Sequence, residues 1–185
     1  MHIRTAVPKD YAAILDIYNY EIVSGTATFD IHLKDMEDME DWFDAHNVEN
    51  HPLIVAEEQG QVIGWASLST YRPKHAYAGT VELSIYTRPE VRGRGVGSAL
   101  MQELIRLAKA DPRTHVIVSV ITGNNNVSRQ FHTKFGFKYA GTLQNVGYKF
   151  NQFLDIHHYV LQVDEDLEAD ELVQSSEYQP EVDQV

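Results

Sequence analysis

Hydrophobic side chains in the first quarter of the chain recur at a helical spacing. Between residues 14 and 22 they fall three and four positions apart, on one face of a predicted helix (Ile14, Leu15, Tyr18 and Ile22). Pro8 suits the entry to that helix, and Gly25 lies just past its end. A second helix is predicted over residues 33–46, from apolar side chains at similar spacing (Met36, Met39, Trp42 and Phe43).

Elsewhere, short runs rich in β-branched and aromatic residues predict seven strands. They cover residues 2–6, 53–57, 61–69, 80–87, 116–121, 137–143 and 153–161. Two further helical stretches, 96–110 and 126–135, fall between the later strands. Helices interleaved with both hairpins and crossovers predict an α/β fold, in which one central mixed sheet is flanked by helices on both faces.

Composition limits what this fold can do. Of the 185 residues 43% are hydrophobic, which is enough for a substantial core. The chain has no cysteine, which excludes disulfides, thiolate zinc sites and a cysteine nucleophile. No apolar run approaches the ~18 residues that suggest a membrane span, and residues 1–5 lack the start of a signal peptide. We therefore expect a soluble, cytoplasmic protein, and the nine histidines show no metal-site spacing.

The net charge of −12 is unevenly distributed along the chain. Nine of the 27 acidic residues lie in residues 164–185, a stretch without lysine or arginine. The remaining 18 acids are nearly balanced by 15 bases. We therefore predict one domain over residues 1–163 and a disordered acidic tail over residues 164–185. An overall basic surface for nucleic acid is absent.

A glycine-rich segment is the sharpest local motif. Between a predicted strand and a predicted helix lies the sequence Arg92-Gly93-Arg94-Gly95-Val96-Gly97-Ser98. Glycines let the backbone curl tightly, and the N–H groups of the first helical turn are then free to bind an anion. Arg92 and Arg94 add positive charge for phosphate oxygens. The segment therefore indicates a pyrophosphate site, with a purely structural turn as the alternative.

Two better-known nucleotide motifs fit this segment poorly. A P-loop needs a lysine and then serine or threonine after its last glycine, and the segment contains no lysine. A dinucleotide fold carries its glycines in the first strand–helix unit, whereas this loop comes halfway along the chain.

Several stretches together resemble the GNAT superfamily of N-acetyltransferases. Arg92-x-x-Gly95-x-Gly97 is similar to that family's acetyl-CoA pyrophosphate loop. Four further stretches resemble the subgroup with phosphinothricin and methionine sulfoximine acetyltransferases: residues 25–29, 80–86, 128–137 and 146–150. The resemblance covers about residues 2–162. It implies the GNAT fold, acetyl-CoA as co-substrate without a metal, and acetylation of the α-amine of a small amino-acid-like substrate.

The resemblance supports Glu82 as the general base. In an alternating strand Glu82 points opposite Val81 and Leu83, and apolar neighbours would raise the pKa of its carboxyl towards neutrality. The alternative is a surface glutamate on a half-exposed strand. Without a cysteine-linked acetyl-enzyme, direct attack by the amine is the simpler mechanism.

Further roles follow from the same resemblance. Residues 92–98 would bind the pyrophosphate, and the backbone of Ile85, Tyr86 and Thr87 would pair with the pantetheine arm. Asn125 matches an asparagine near that arm, although consecutive asparagines also suit a helix N-cap. His132 stands where many relatives carry a tyrosine; it would protonate the leaving thiolate, hydrogen-bond the cofactor, or only pack.

The candidates for binding the substrate carboxylate are Arg72, Tyr77, Tyr148 and Lys149. After Phe150 the sequence departs from the common family pattern, which changes the expected pocket wall. The resemblance also implies a homodimer. Two other functions stay open at this point: acetylation of a peptide or protein amine, and acyl-CoA binding by a regulatory module without turnover.

Overall fold

The computed structural model describes residues 1–164, and the order of its elements is the predicted one. The strands are β1 (His2–Thr5), β2 (Leu53–Glu58), β3 (Gln61–Thr70), β4 (Thr80–Thr87), β5 (Val116–Thr122), β6 (Lys138–Lys149) and β7 (Gln152–Gln162). The α-helices are α1 (Tyr11–Ser24), α2 (Glu40–Asp44), α3 (Val96–Ala110) and α4 (Asn126–Lys134). Single 3-10 turns occur at Pro8–Asp10, His75–Tyr77 and Pro89–Val91.

The predicted acidic tail lies outside the described residues except for its first member. Asp164 accepts a hydrogen bond from His115 Nδ1 and is largely buried. This residue is therefore tied to the folded domain.

All seven strands form one sheet in the order β1-β2-β3-β4-β5-β7-β6. Only β4 and β5 run parallel, and the crossover between them is α3. The other neighbours are antiparallel, so the predicted mixed sheet is confirmed.

Alternation along β2 separates two hydrophobic layers. Leu53 and Val55 face α1 and α2, in a cluster with the buried Trp65. Ile54 and Ala56 face the opposite side, in the cluster that contains α3. Helices therefore cover both faces, and the central strands read as continuous apolar runs because both of their faces are buried.

The pairing between β4 and β5 covers only three positions. It runs from Thr80 opposite Val116 to Glu82 opposite Val118. Beyond Glu82, β4 remains paired with β3, and β5 remains paired with β7. The two strands diverge, so the inner backbone edge of residues 83–87 faces no neighbouring strand within the described chain.

The predicted helix over residues 33–46 is wrong for its first half. Only Glu40–Asp44 is α-helical, and Leu33 and Met36 are exposed. The side chain of Asn19 binds both backbone groups of Lys34, at 2.8 and 2.9 Å, and thereby holds this part of the chain in a non-helical path. Met39 and Phe43 are buried as the pattern indicated.

The last two strands are longer than predicted and form a hairpin. Phe150 and Asn151 connect them with φ angles of 50° and 61°. Two consecutive residues with positive φ are typical of the type I′ turn, whose twist suits a two-residue hairpin. Residues 146–149 therefore belong to a strand rather than to a loop.

Within residues 1–164, no helix combines the length and the apolar character needed to cross a membrane.

Candidate active site

A cavity of about 930 Å³ opens where β4 and β5 diverge. Its walls come from β4, the turn that leads into α3, the end of β5 and the first turns of α4. Helix α1 and residues 27–29 close the remaining side.

Most of the predicted site residues meet in this cavity. They are Glu82, Ile85, Tyr86, Thr87, Arg92, Gly93, Gly95, Val96, Gly97, Ser98, Asn125 and His132. Asn125 also accepts a hydrogen bond from the backbone N–H of Ser128, at 3.0 Å, so it is at once the N-cap of α4 and part of the cavity wall.

Five predicted residues do not line the cavity. Arg94 turns away and pairs with Glu58 at 2.7 Å. Arg72 and Tyr77 lie in the loop between β3 and β4, where both contact the ring of Tyr71.

Tyr148 and Lys149 are neighbours on β6 and therefore point to opposite faces. Tyr148 is 56% exposed and bonds Asn151, while Lys149 is only 4% exposed. Its Nζ donates to the carbonyl of Thr28 at 2.8 Å, and burial lowers the pKa of its ammonium. Lys149 thus binds the backbone of Thr28, which lines the cavity, but does not line the cavity itself.

Glu82 is the last paired residue of β4 before the strands separate. Its side chain is half-buried, and no hydrogen bond or ion pair engages its carboxylate within residues 1–164. Val81 and Leu83 on either side are buried in the core. Burial raises the pKa of the Glu82 carboxyl, because the charged form loses hydration.

The glycine turn leaves its backbone open to the cavity. Gly93 and Gly95 have φ angles of 78° and 86°, which glycine adopts readily and other residues rarely do. Gly95 caps α3 without any side chain to satisfy the first N–H groups of the helix. An anion with several oxygens, such as a pyrophosphate, fits these donors.

Arg92 reaches from this turn to a residue that sequence analysis missed. Its Nη2 donates to Oε1 of Glu21 on α1, and both residues line the cavity. A signal for Glu21 did exist in the sequence: with Ile14, Tyr18 and Ile22 it follows the i, i+4, i+7, i+8 spacing of a buried helical face.

His132 is buried, and both of its ring nitrogens are hydrogen-bonded. Nδ1 lies 2.8 Å from the carbonyl oxygen of Ser128, and Nε2 lies 2.8 Å from Oγ of Ser119. A carbonyl only accepts, so Nδ1 carries the hydrogen and Nε2 accepts from Ser119. Burial lowers the pKa of His132, which favours this neutral form. Ser119, also missed by sequence analysis, lines the cavity as well.

A segment that we call the strap, residues 25–30, covers one side of the cavity. Thr122 at the end of β5 donates to the carbonyl of Thr26. The hydroxyl of Tyr18 lies 2.8 Å from Thr28 Oγ1 and 2.7 Å from Asp30. Together with Lys149, these contacts join the strap to α1, β5 and β6.

The ring of Phe29 fixes the strap against the final hairpin. A Cβ on Gly147 would stand 2.1 to 2.7 Å from three atoms of that ring. Only a residue without a side chain allows this contact. Phe29 is part of the cavity wall, so the hairpin helps to set the shape of the cavity.

Among the histidine, aspartate and glutamate residues of the described chain, no group of three could hold a metal ion.

Comparison with known proteins gives one consistent answer. The model of the acetyltransferase (GNAT) family matches residues 15–137. An L-methionine sulfoximine/L-methionine sulfone acetyltransferase of Pseudomonas paraeruginosa is 37% identical over 88% of this chain and 94% of its own length. An L-amino acid N-acyltransferase of Escherichia coli is 36% identical over 92% and 98%.

A solved structure agrees with these sequence relatives. The GNAT phosphinothricin acetyltransferase of Sinorhizobium meliloti, determined in complex with acetyl-CoA, superposes with a TM-score of 0.83. It is 33% identical, and the match covers 87% of each chain.

The contact between Phe29 and Gly147 yields a testable prediction about the part of the cavity wall that the strap forms. Gly147→Ala should lower the free energy of unfolding by ~1–3 kcal/mol, because the new methyl group overlaps the ring. In a Phe29→Ala background the same change should cost much less. Chemical denaturation of the four proteins measures the coupling. Equal costs in both backgrounds would show that the ring does not rest on Gly147.

Proposed function

The chain belongs to the acetyltransferase (GNAT) family, and on that premise we propose that it acetylates the α-amine of a small amino-acid-like substrate. Methionine sulfoximine and phosphinothricin are the leading candidates, since relatives named for them are 37% and 33% identical to this chain over the aligned residues. The resemblance seen in the sequence is thereby confirmed at the level of the family and its subgroup. The chain is an N-acetyltransferase, and acetyl-CoA is its co-substrate.

One observation supports this proposal above the others. The carboxylate of Glu82, half-buried and without a partner in residues 1–164, and the open backbone of the glycine turn line one cavity at the fork between β4 and β5. Acetyl transfer to an amine from a thioester that carries a diphosphate requires a proton acceptor and an anion site, and this cavity has both.

The residues around the turn fit the co-substrate. Acetyl-CoA supplies an acetyl group activated as a thioester. We assign its diphosphate to the backbone N–H groups of residues 93–98 and to Arg92. The inner backbone edge of Ile85, Tyr86 and Thr87 pairs with no other strand of the described chain and can bind the amides of the pantetheine arm, and Asn125 lines the same cavity.

Glu82 acts in the proposal as the general base. It accepts a proton from the substrate ammonium, directly or through a water, so that the neutral amine attacks the thioester carbonyl. The C–S bond then breaks, and the second proton that the nitrogen loses passes to the sulfur of CoA. The raised pKa of its carboxyl brings the base closer to neutral pH, where proton transfer is most efficient. No acetyl-enzyme is needed, and the chain has no cysteine to form a thioester-linked one.

His132 supports the departing sulfur through its neighbour in this scheme. In the neutral form the ring orients the hydroxyl of Ser119, and that hydroxyl lies on the cavity wall. Rotation of the Ser119 O–H from Nε2 towards the cavity would offer a hydrogen bond to a thiolate. Direct protonation by His132 would first require one of its two hydrogen bonds to open.

The acceptor's carboxylate needs hydrogen-bond donors. Within residues 1–164, Arg92 is the one lysine or arginine that lines the cavity, and Glu21 already engages it. We propose that the hydroxyl of Ser84 serves the carboxylate instead, because those of Ser119 and Thr122 already donate to His132 and to the carbonyl of Thr26. Lys149 contributes indirectly, because it fixes the strap that covers this side.

We also propose a homodimer formed through the final hairpin. Among the strands of residues 1–164, β6 lies at the edge of the sheet and pairs only with β7. Large apolar side chains more than half exposed line this hairpin: Tyr139, Leu143, Val146, Tyr148, Phe150 and Phe153. Long apolar edges are rarely left uncovered, because they invite further pairing.

The substrate class is tested by release of free CoA thiol from acetyl-CoA over a panel of amines. Methionine sulfoximine, phosphinothricin and ordinary α-amino acids should support turnover, and the same amines without their carboxylate should react poorly. Turnover confined to peptides would instead identify a peptide acetyltransferase. Tight binding of CoA without turnover on any amine would identify a regulatory module.

The base is tested with Glu82→Gln. We expect kcat/KM to fall by about 10²- to 10⁴-fold, the usual contribution of a positioned base. In the wild type, kcat/KM should decline as the pH falls through the raised pKa of Glu82, since the protonated carboxyl cannot accept a proton. This decline should begin at a higher pH than for an ordinary glutamate and should vanish in the variant. Glu90→Gln, an exposed glutamate outside the cavity, is the matched control. Unchanged turnover in Glu82→Gln would refute the assignment.

The dimer is tested by analytical ultracentrifugation at micromolar concentration. The wild type should sediment as a dimer, and Leu143→Lys with Val146→Lys should sediment as a monomer, because charges replace apolar contacts on the edge strand. Val23→Lys places the same charge at an equally exposed position on α1 and should remain dimeric. A monomeric wild type would contradict the proposal.

A further inference from the structure

A buried carboxylate in the cavity has no part in the acetyl transfer described above. The side chain of Glu21 is 9% exposed and lines the same cavity as Glu82. Burying a carboxylate is costly unless it is paired, and here the partner is Arg92, the first residue of the glycine turn. The pair therefore connects α1 to the anion site.

Gly25 makes room for this carboxylate. Its φ of −141° and ψ of 175° are extended values that any residue can adopt. A Cβ at this position, however, would stand 2.6 Å from Oε2 of Glu21. Space for Glu21, rather than backbone freedom, accounts for a glycine here.

Helix α1 holds Arg92 from two directions. Glu21 accepts from Nη2, and the ring of Tyr20 lies 5.9 Å from the guanidinium carbon. Within residues 1–164, no hydrogen bond engages Nη1 or Nε of Arg92, so these donors remain available to a ligand. A free arginine loses much rotamer entropy when it binds a ligand, and an arginine fixed beforehand loses less.

We propose that Glu21 is a positioning residue for the diphosphate of acetyl-CoA, which it serves by holding Arg92 in place before the ligand binds. The inference rests on the proposed function in one respect, that the diphosphate occupies the glycine turn. Glu21 itself touches neither the acetyl group nor the amine in this scheme.

The same turn contains a second arginine, Arg94, whose ion pair can be compared with that of Arg92. Arg94 pairs with Glu58 on β2 at 2.7 Å, but neither residue lines the cavity. The two arginine–glutamate pairs thus differ in whether the arginine faces the cavity. Substitution of Glu58 is the matched control for substitution of Glu21.

The experiment measures binding of CoA by calorimetry and steady-state kinetics with two acetyl donors. Acetyl-CoA carries the diphosphate, and S-acetylpantetheine lacks it. Glu21→Leu should raise the Kd for CoA and the KM for acetyl-CoA about three- to tenfold, the effect of leaving one flexible side chain unfixed. Its kcat, and its kcat/KM with S-acetylpantetheine, should stay at the wild-type value. Glu21→Gln retains a hydrogen-bond acceptor and should restore part of the affinity.

Gly25→Ala provides a second route to the same result. The added methyl group displaces only the end of the Glu21 side chain, so the fold should persist while the affinity for CoA falls as in Glu21→Leu. Glu58→Leu should bind CoA like the wild type. Thermal melting of each variant verifies that it is folded.

Two outcomes would overturn the proposal. Tighter or unchanged binding of CoA by Glu21→Leu would show that Glu21 competes with the diphosphate for Arg92 or has no role in binding it. An equal loss with acetyl-CoA and S-acetylpantetheine would show a purely structural role. Failure of the proposed function is a separate result, since the wild type would then release no thiol whatever its affinity for CoA.

Discussion

Three residue pairs, from Thr80 with Val116 to Glu82 with Val118, are the whole ladder between β4 and β5. Past them each strand keeps its outer neighbour, so the polar backbone groups on both inner edges face a space that no strand of residues 1–164 fills. Such groups need partners, which water or a ligand must supply. The cavity and the position of Glu82 where it opens both follow from this early divergence.

The strap shows that residues far apart in the sequence together shape one wall of the cavity. It has no regular structure of its own, and its carbonyls are bound by Thr122 and Lys149. Phe29 lies on Gly147, which comes more than a hundred residues later. The wall of the cavity at the strap is thus determined jointly by α1, β5 and the last hairpin, while the wall at the glycine turn depends on the single stretch from β4 into α3.

This division explains what could be read from the sequence. Glu82 and the glycine turn belong to local patterns, an alternating strand and a strand-to-helix turn, and the structure brings both to one cavity. The helix over residues 33–46 was overpredicted because the contact that prevents it comes from Asn19, a tertiary partner that no local pattern reveals. Lys149 is a candidate for the substrate carboxylate in the sequence because it is a cation in a stretch that resembles the family. The face of a strand that a side chain occupies is not known until the strand and its register are known. Glu21 is visible in the sequence as a charged residue on an otherwise apolar helical face. Its role cannot be inferred there, because it depends on the contact with Arg92.

The narrow ladder between β4 and β5 also divides the sheet mechanically. On one side lie four strands with α1 and α2 packed against them, and on the other lie β5, β7 and β6. A molecule bound in the fork contacts both parts of the sheet. It can bind the backbone groups of β4 and β5 that do not pair with each other. The free energy of ligand binding therefore also stabilises the association of the two half-sheets. Occupancy of the cavity contributes to the stability of the whole domain.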